Sequence, residues 1–194
     1  MLDNERILEG VMTTTSPDGT TNISPMGPIV DDSMRRLLLR PYRTSTTYAN
    51  LKRRGTGMFH VTDDVLLLAR GAIGAIESMP ELIDCGSVDE KILAGACRWY
   101  AVRVVSLEDS QERTEIVAEV VEQGRLRDFF GLNRAKHAVI EAAILATRIQ
   151  FLPRQEILDE YERLRILVEK TGARPEHEAF EMLTAFVRNA DGEG

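Results

Sequence analysis

Residues 37–51 have the sequence LLLRPYRTSTTYANL, in which three leucines precede an arginine, a hydroxyl-rich turn and a polar segment. The leucines fit a short buried strand, and Thr44 or Ser45 can cap a helix that begins directly afterwards. Gly55 is placed to end this helix, because glycine accepts the left-handed backbone of a helix C-terminus. The stretch therefore predicts a strand, a turn and a short helix, with hydroxyl and guanidinium groups beside the free N–H groups of the first helical turn.

The same stretch lies in a basic window of an acidic chain. The chain has 24 basic and 31 acidic residues and a net charge of −7. Residues 33–62 contain no Asp or Glu, and their basic residues are Arg35, Arg36, Arg40, Arg43, Lys52, Arg53 and Arg54. A local positive field, hydroxyl groups and a helix N-terminus together favour a bound phosphate. We therefore expect a small phosphorylated ligand at this window.

The composition narrows the class of protein. A chain of 194 residues with 43% hydrophobic and 28% charged residues can build one substantial core, or a barrel with a helical appendage. The negative net charge argues against nucleic-acid binding. No apolar run approaches the roughly 20 residues that span a bilayer, and the N-terminal residues lack a signal-peptide pattern. We expect a cytoplasmic protein that binds neither nucleic acid nor membrane.

The cysteines and histidines do not suggest a metal site. Cys85 and Cys97 lack the CxxC spacing of zinc and thiol redox sites, and both are expected to be reduced. His60, His137 and His177 are dispersed along the chain. The sequence therefore predicts no bound metal.

Strand patterns and turn signals alternate over the first two thirds of the chain. Strands are predicted over residues 6–14, 20–24, 34–40, 57–61, 97–107 and 115–121, and helices over residues 45–53 and 65–75. Residues 25–28, with the sequence PMGP, are expected to interrupt strand pairing, because proline has no N–H to donate. Residues 79–90 are irregular and are expected to form a loop. The last two strands flank a charged turn and predict a hairpin.

After Gly124 the pattern becomes helical, with helices predicted over residues 133–149, 154–171 and 175–189. The predicted fold is α+β and mainly β: a small barrel of about six antiparallel strands with interspersed helices, followed by an α-helical C-terminal part. The predicted domains are a barrel over residues 1–125, a helical region packed on it over residues 126–190, and a flexible tail over residues 191–194.

Two segments that flank the third strand together suit a flavin nucleotide. Residues 21–27 can present backbone groups to the pyrimidine edge of the ring, with an amide from Asn22, a soft contact from Met26 and close backbone approach at Gly27. Residues 40–47 supply groups that grip a phosphate. As antiparallel neighbours, both turns are expected at the same rim of the barrel. Taken singly, each segment is also consistent with an ordinary strand-ending turn or a solvated basic face.

A series of short motifs runs along residues 7–64. They are Thr13-Thr14, Asp18-Gly19-Thr20-Thr21-Asn22, Pro25-Met26-Gly27, Leu39-Arg40-Pro41-Tyr42, Thr44-Ser45-Thr46-Thr47-Tyr48 and Asn50-Leu51. Their order resembles the FMN-binding split-barrel proteins, which are related to the flavin reductases. Within that superfamily the chain is similar to an uncharacterised domain family with a barrel plus C-terminal helices, and segments 133–138 and 141–143 add to the resemblance.

The resemblance implies an FMN cofactor and a homodimer with FMN at the subunit interface. It also implies that residues 22–27 lie along the ring. The phosphate would be held by Arg40, Thr44, Ser45 and Thr47, with Tyr48 and Asn50 in support. The implied cofactor-binding residues are Asn22, Ser24, Pro25, Met26, Gly27, Arg40, Pro41, Tyr42, Thr44, Ser45, Thr47, Tyr48 and Asn50. The superfamily also includes members that use deazaflavin or haem, which leaves those cofactors open.

Two further polar sets each have a structural and a chemical interpretation. One face of the predicted helix after Asn133 carries Arg134, His137, Glu141 and Arg148, opposite a stripe of small and apolar residues. This face is either solvated or borders the flavin, with His137 as a candidate proton donor. Asp63 and Asp64 are interpreted as a helix cap in preference to an acid–base pair.

The leading hypothesis from the sequence is an FMN-binding flavoprotein that acts as a flavin-dependent oxidoreductase on an unknown substrate. A nicotinamide nucleotide is the candidate electron donor. One alternative is a non-catalytic module that binds or senses FMN or recruits a partner, and another is a site for a different phosphorylated ligand. The sequence alone does not decide whether the protein is an enzyme.

Overall fold

The computed structural model describes residues 5–190, which divide into two compact units. The first unit comprises the chain up to Thr62 together with Pro80–Phe129. The second comprises Asp63–Met79 together with the chain from Phe130 onwards. The expected boundary at residue 125 stays a prediction, and the expected flexible tail lies outside the described residues.

The first unit contains a curled antiparallel sheet of eight strands and a separate two-stranded sheet. The eight-stranded sheet consists of β1 (Arg6–Ile7), β2 (Gly10–Thr15), β3 (Thr21–Met26), β4 (Ile29–Val30), β5 (Arg36–Leu39), β6 (Thr56–Val61), β9 (Arg98–Glu108) and β10 (Glu115–Arg125). The small sheet pairs β7 (Leu82–Asp84) with β8 (Lys91–Leu93), and helix α1 (Thr46–Arg54) lies between β5 and β6 in sequence. Six strands of the large sheet have four or more residues, as the sequence predicts. The α+β, mainly β fold class is confirmed.

The order of strands in the large sheet is β1-β4-β5-β10-β9-β6-β2-β3. The predicted hairpin of β9 and β10 forms its centre, with 11 residues in each strand. The strands curl around a buried core whose members include Met12, Leu37, Leu39, Phe59, Val102 and Ile116. Residues two apart on β5, Leu37 and Leu39, are both fully buried, as expected for one face of a pleated strand. The other face of β5 therefore points away from this core.

Two sequence predictions differ from the structure, and one short strand was not predicted. Pairing does not stop at the PMGP segment, because Pro25 pairs with Val11 and Met26 with Gly10. Proline is tolerated there because β3 is the edge strand of the sheet, so its missing N–H interrupts no second ladder. Residues 79–90, expected to be a loop, contain β7, and the segment before β5 contains the two-residue strand β4.

The second unit is helical. It consists of α2 (Val65–Ala72), α3 (Arg134–Ala146), α4 (Arg154–Thr171) and α5 (Arg174–Asn189). The predicted cap Asn133 is confirmed: its side-chain oxygen accepts from the amides of Ala135 at 2.9 Å and Lys136 at 3.1 Å. The alanines of α3 are buried, and the Tyr161 hydroxyl of α4 donates to the Ala142 carbonyl at 2.6 Å. In residues 5–190, none of the helices is both long and apolar enough to cross a bilayer.

Candidate functional site

The turn after β5 leads into α1 as the sequence predicts. Ser45 is the N-cap, and its hydroxyl oxygen accepts from the Tyr48 amide at 3.1 Å. The first backbone bond of the helix runs from the Ala49 amide to the Ser45 carbonyl at 3.1 Å. The amides of Thr46 and Thr47 therefore precede any intrahelical bond, and the first turn contains no acidic residue. This helix end presents N–H groups in an environment that favours an anion.

Arg40 directly follows the last residue of β5. Its Nε atom is buried and has no hydrogen-bond partner among the described residues. Leaving a buried donor unpaired costs about 1–3 kcal/mol, and more when the group is charged. Folded proteins pair such groups almost always. The unpaired Nε therefore fits a binding site in which the ligand supplies the hydrogen-bond acceptor. Arg40 lies five residues before the N-cap of α1.

The basic window around Arg40 is partly neutralised within the protein. Arg36 pairs with Glu119 at 2.6 Å and Lys52 with Asp109 at 2.7 Å. Arg54 pairs with Asp89 at 2.7 Å and with Glu90 at 3.1 Å, and Arg53 donates to the Thr15 carbonyl. Of the guanidinium groups in this window, those of Arg35, Arg40 and Arg43 neither form an ion pair nor donate to a group within residues 5–190. The positive charge that is open to an anion is therefore smaller than the sequence indicates, and two of its three members flank the Pro41-Tyr42 turn.

A buried network of amides and hydroxyls connects β3 with α1. The Asn22 Nδ2 atom donates to the Thr47 hydroxyl at 3.1 Å and to the Thr14 hydroxyl at 3.3 Å. The Asn50 Nδ2 atom donates to Thr14 at 3.1 Å and to the Ser16 hydroxyl at 3.3 Å. The network brings Asn22 and the start of α1 together, although β3 and β5 are not neighbours in the sheet. The expectation that they pair as adjacent strands was wrong, and their proximity comes from these side-chain bonds.

The rest of the predicted ring-binding segment lies on the edge strand and just beyond it. Ser24, Pro25, Met26 and Gly27 are all half-buried. The free backbone groups here come from the open edge of β3, and not from the unpaired strand end that the sequence suggested. A Cβ atom at Gly27 would lie 2.8 Å from Ile7 Cγ2. The group that lies close to Gly27 is therefore the Ile7 side chain, in the N-terminal segment of the same unit.

The turn between β9 and β10 holds the segment that precedes α1. The Thr114 amide and hydroxyl donate to the Pro41 carbonyl at 3.0 and 2.8 Å. The Tyr48 hydroxyl donates to Asp109 Oδ2 at 2.5 Å, and Lys52 donates to the same atom at 2.7 Å. The Lys52 ammonium, followed by the Tyr48 hydroxyl, lowers the pKa of Asp109 below its usual range. Tyr48 therefore supports the turn from inside and is not free to contact a ligand with its hydroxyl.

Other predicted site residues have simpler surroundings. Thr44 and Tyr42 are exposed, and the Arg113 guanidinium lies over the Tyr42 ring, with 5.2 Å between Cζ and the ring centroid. His137 is exposed on α3 in the second unit, and its role as a proton donor stays a prediction. Asp64 caps α2 by accepting from the Leu67 amide at 3.0 Å, so the capping interpretation of this pair holds for Asp64. Among residues 5–190, no three His, Cys, Asp or Glu side chains are grouped closely enough to hold a metal ion.

Sequence reasoning missed four residues that shape this region: Thr14, Asp109, Arg113 and Thr114. Thr14 lies in the quoted Thr13-Thr14 motif, and its inward position on β2 was the available signal. The other three follow Tyr48 by about 60 residues or more in the sequence, in a turn whose acidic composition gave no sign of an anion site. Only the pairing of β5 with β10 brings them to the Arg40 turn.

Comparison with known proteins places the chain in a family. The N-terminal domain model of a family described as a protein of unknown function, DUF447, matches residues 8–127, and its second model matches residues 133–185. The chain belongs to the DUF447 family. No protein with a curated description matches the sequence significantly.

Solved structures show the same fold for this DUF447 chain. An FMN-bound DUF447 protein from Methanosarcina mazei superposes with a TM-score of 0.77 at 23% identity, covering 93% of this chain and 94% of the other. The NADH:FAD oxidoreductase of Streptomyces globisporus gives 0.50 at 15% identity, over 63% and 72% of the two chains. The 2-nitrobenzoate 2-nitroreductase of Pseudomonas fluorescens gives 0.50 at 12% identity, over 60% and 64%. The split-barrel fold that the motifs suggested is therefore confirmed.

Proposed function

We propose that this DUF447 protein binds FMN, with the phosphate at the turn between β5 and α1. The observation that carries the proposal is the buried Nε of Arg40, which has no acceptor among residues 5–190. The N-cap Ser45 and the first amides of α1 follow within the same turn. The FMN-bound structure of a related DUF447 protein supports flavin as the ligand class.

The roles of the residues follow from what each side chain already contacts. Arg40 and the hydroxyls of Thr44 and Ser45 are proposed to hold the phosphate, since a charged donor and hydroxyl groups suit its oxygens. Thr47, Tyr48 and Asn50 are buried and bonded within the protein, so they position the turn. Residues 22–27, on the edge strand β3 and just after it, are proposed to lie along the ring. Bound flavin would supply hydride or electron transfer.

Titration with FMN and riboflavin tests the phosphate assignment, because riboflavin lacks only the phosphate. Arg40→Ala should weaken FMN binding by about 10- to 150-fold, the equivalent of one charge-assisted hydrogen bond, and leave riboflavin binding unchanged. Ser45→Ala should add to the loss. Arg35→Ala is the control, since Arg35 lies in the same basic window and forms no ion pair within residues 5–190, but its side chain is exposed. Equal FMN affinity in the Arg40 variant and the wild type contradicts the assignment.

We further propose that the flavoprotein is an oxidoreductase with a nicotinamide nucleotide as electron donor. The alternative is a non-catalytic module that binds or senses FMN or recruits a partner. Anaerobic mixing of the FMN-loaded protein with NADH or NADPH separates the two, since rapid bleaching at the flavin absorbance maximum supports the reductase. Flavin that stays oxidised with both donors supports the binding module.

We also propose a homodimer with FMN at the subunit interface and a cytoplasmic location. The open edge of β3, which carries part of the proposed ring site, supports a partner there. Sedimentation with and without FMN tests the dimer, and a monomer in both conditions contradicts it. Cys85 and Cys97 form no disulfide within residues 5–190, which suits a reducing compartment, and cell fractionation tests the location. Mass spectrometry of heat-released ligand distinguishes FMN from deazaflavin or another phosphorylated molecule.

A further inference from the structure

Arg113 shares one face of the sheet with Arg40. Leu39 of β5 pairs with Ile116 of β10, Leu38 pairs with Val117, and a further bridge joins Tyr42 to Arg113. Leu39 and Ile116 are fully buried on the core face. Because side chains alternate along a strand, Arg40 and Tyr42 lie on the opposite face, together with Arg113 from the other strand. Residues in this diagonal relation are about 7–8 Å apart at Cα, within reach of two arginine side chains.

The Arg113 side chain is held in place although it is exposed. Its Nε donates to the Arg40 carbonyl at 3.1 Å. Its guanidinium carbon lies 5.2 Å from the centroid of the Tyr42 ring, a stacked arrangement that suits the planar group. The Arg43 amide also donates to the Glu112 carbonyl at 2.9 Å, which fixes the backbone on both sides of the turn. The two terminal nitrogens of Arg113 have no acceptor among the described residues.

The charges around Arg113 leave room for an anion. Arg40 and Arg43 are the nearby cations; neither forms an ion pair within residues 5–190, but Arg43 lies near enough to Asp109 to help lower the pKa of that carboxyl group. Asp109 is already bonded by Lys52 and Tyr48. Glu112 and Glu115 are exposed, and neither forms an ion pair with Arg113 or Arg40 in the part of the chain that the structure describes. In the same register Glu115 lies opposite Arg40 on this face and offsets one positive charge, so two of the three guanidinium charges near the turn are left for a bound anion.

We propose that Arg113 is a second phosphate-binding guanidinium, which acts with Arg40 on the phosphate monoester of the ligand. The proposal rests on the proposed function and adds a residue from a different strand to the site. Two fixed guanidinium groups match the two charges of a phosphate monoester above its second pKa of about 6. The ligand dianion should therefore bind more tightly than the monoanion.

FMN and riboflavin titrations of Arg113→Gln between pH 5 and 8 test this role. The wild type should bind FMN more tightly as the pH rises through about 6, the second pKa of the phosphate. Arg113→Gln should lose about 10- to 100-fold in FMN affinity at pH 7.5, since one charge-assisted contact is removed, and should show a flatter pH dependence. Riboflavin affinity should be unchanged, and Arg113→Lys should recover part of the pH dependence.

Thr114→Val is the control for a purely structural effect. It removes the hydroxyl bond to the Pro41 carbonyl and keeps every charge, so the pH dependence of FMN binding should remain. Equal losses of FMN and riboflavin in Arg113→Gln would assign Arg113 to the framework and overturn the proposal. If Arg40→Ala weakens FMN binding and Arg113→Gln does not, the Arg113 proposal fails alone. A wild type that binds no FMN ends both proposals.

Discussion

Acidification from pH 7.5 to 5 should destabilise the first unit through His60. The ring is fully buried; its Nδ1–H donates to the Val11 carbonyl at 3.2 Å, and its Nε2 accepts from the Leu93 amide at 3.0 Å. The bond at Nε2 requires the neutral ring, because a proton on Nε2 would face the Leu93 N–H, whereas Nδ1–H can donate in either state. Burial lowers the pKa of His60 from 6.5 to about 4, although the bond to Val11 opposes the shift.

The sign and size of the effect follow from proton linkage. Between pH 6.5 and about 4, the unfolded chain binds a proton at His60 and the folded chain does not. The free energy of unfolding therefore falls as the pH falls through this window, by about 2 kcal/mol at pH 5 and about 3 kcal/mol at pH 4. The full stabilisation is present above the unfolded-state pKa.

Urea unfolding at several pH values measures this loss. The wild type should lose about 2 kcal/mol more than His60→Gln between pH 7.5 and 5, because glutamine does not titrate and carboxylate effects are common to both. His137→Gln, at an exposed position, should keep the wild-type pH dependence. If His60→Gln does not fold, the ring resonances of the wild type give the pKa directly. A His60 ring that titrates near its ordinary value would refute the reasoning.

Two further predictions concern the second unit. Asn133→Ala should lower the free energy of unfolding by about 1–2 kcal/mol, because Asn133 caps α3 and its Nδ2 also donates to the Thr171 carbonyl at 3.0 Å. Denaturant unfolding measures this loss, with Asn189→Ala as the control. An equal loss in both variants contradicts the prediction. Tyr161→Phe should cost about 1 kcal/mol through the lost bond to the Ala142 carbonyl, whereas Tyr42→Phe, at an exposed position, should cost nothing measurable by thermal unfolding. Identical melting temperatures for the two tyrosine variants would exclude the hydrogen bond as a stabilising contact.

Local signals in the sequence predicted the elements that depend on neighbouring residues. Ser45, Gly55 and Asn133 each mark a helix end through their own side chain or backbone preference, and the structure has each of them in that role. The β9–β10 hairpin followed from two long β-prone runs around a charged turn. The pairing through Pro25 could not be predicted in this way, because tolerance of proline depends on β3 lying at the sheet edge. Strand order is a long-range property that no single segment encodes.

The same limit applies to charge at the candidate site. The sequence shows seven basic residues together, but it does not show that Glu119, Asp109, Asp89 and Glu90 approach three of them from distant segments. It also hides Arg113, whose place beside Arg40 depends on how β5 pairs with β10. A count of charges along the chain therefore overstates the positive charge of residues 33–62, and it omits the charge that Arg113 adds beside Arg40.

The polar groups around the Arg40 turn differ in how far the protein already satisfies them. The amides of Asn22 and Asn50 and the hydroxyl of Tyr48 are bonded to other side chains, so ligand binding would have to break those bonds to use them. The Nε of Arg40 is buried and lacks an acceptor within residues 5–190, so a ligand oxygen would remove a cost that the protein alone bears. Most of the binding free energy should therefore come from the few donors that lack an acceptor, such as the Arg40 Nε. The bonded side chains of Asn22, Asn50 and Tyr48 hold the turn in place. Such an arrangement favours a rigid turn that exists before the ligand arrives, because each framework bond orders the turn without involving the ligand.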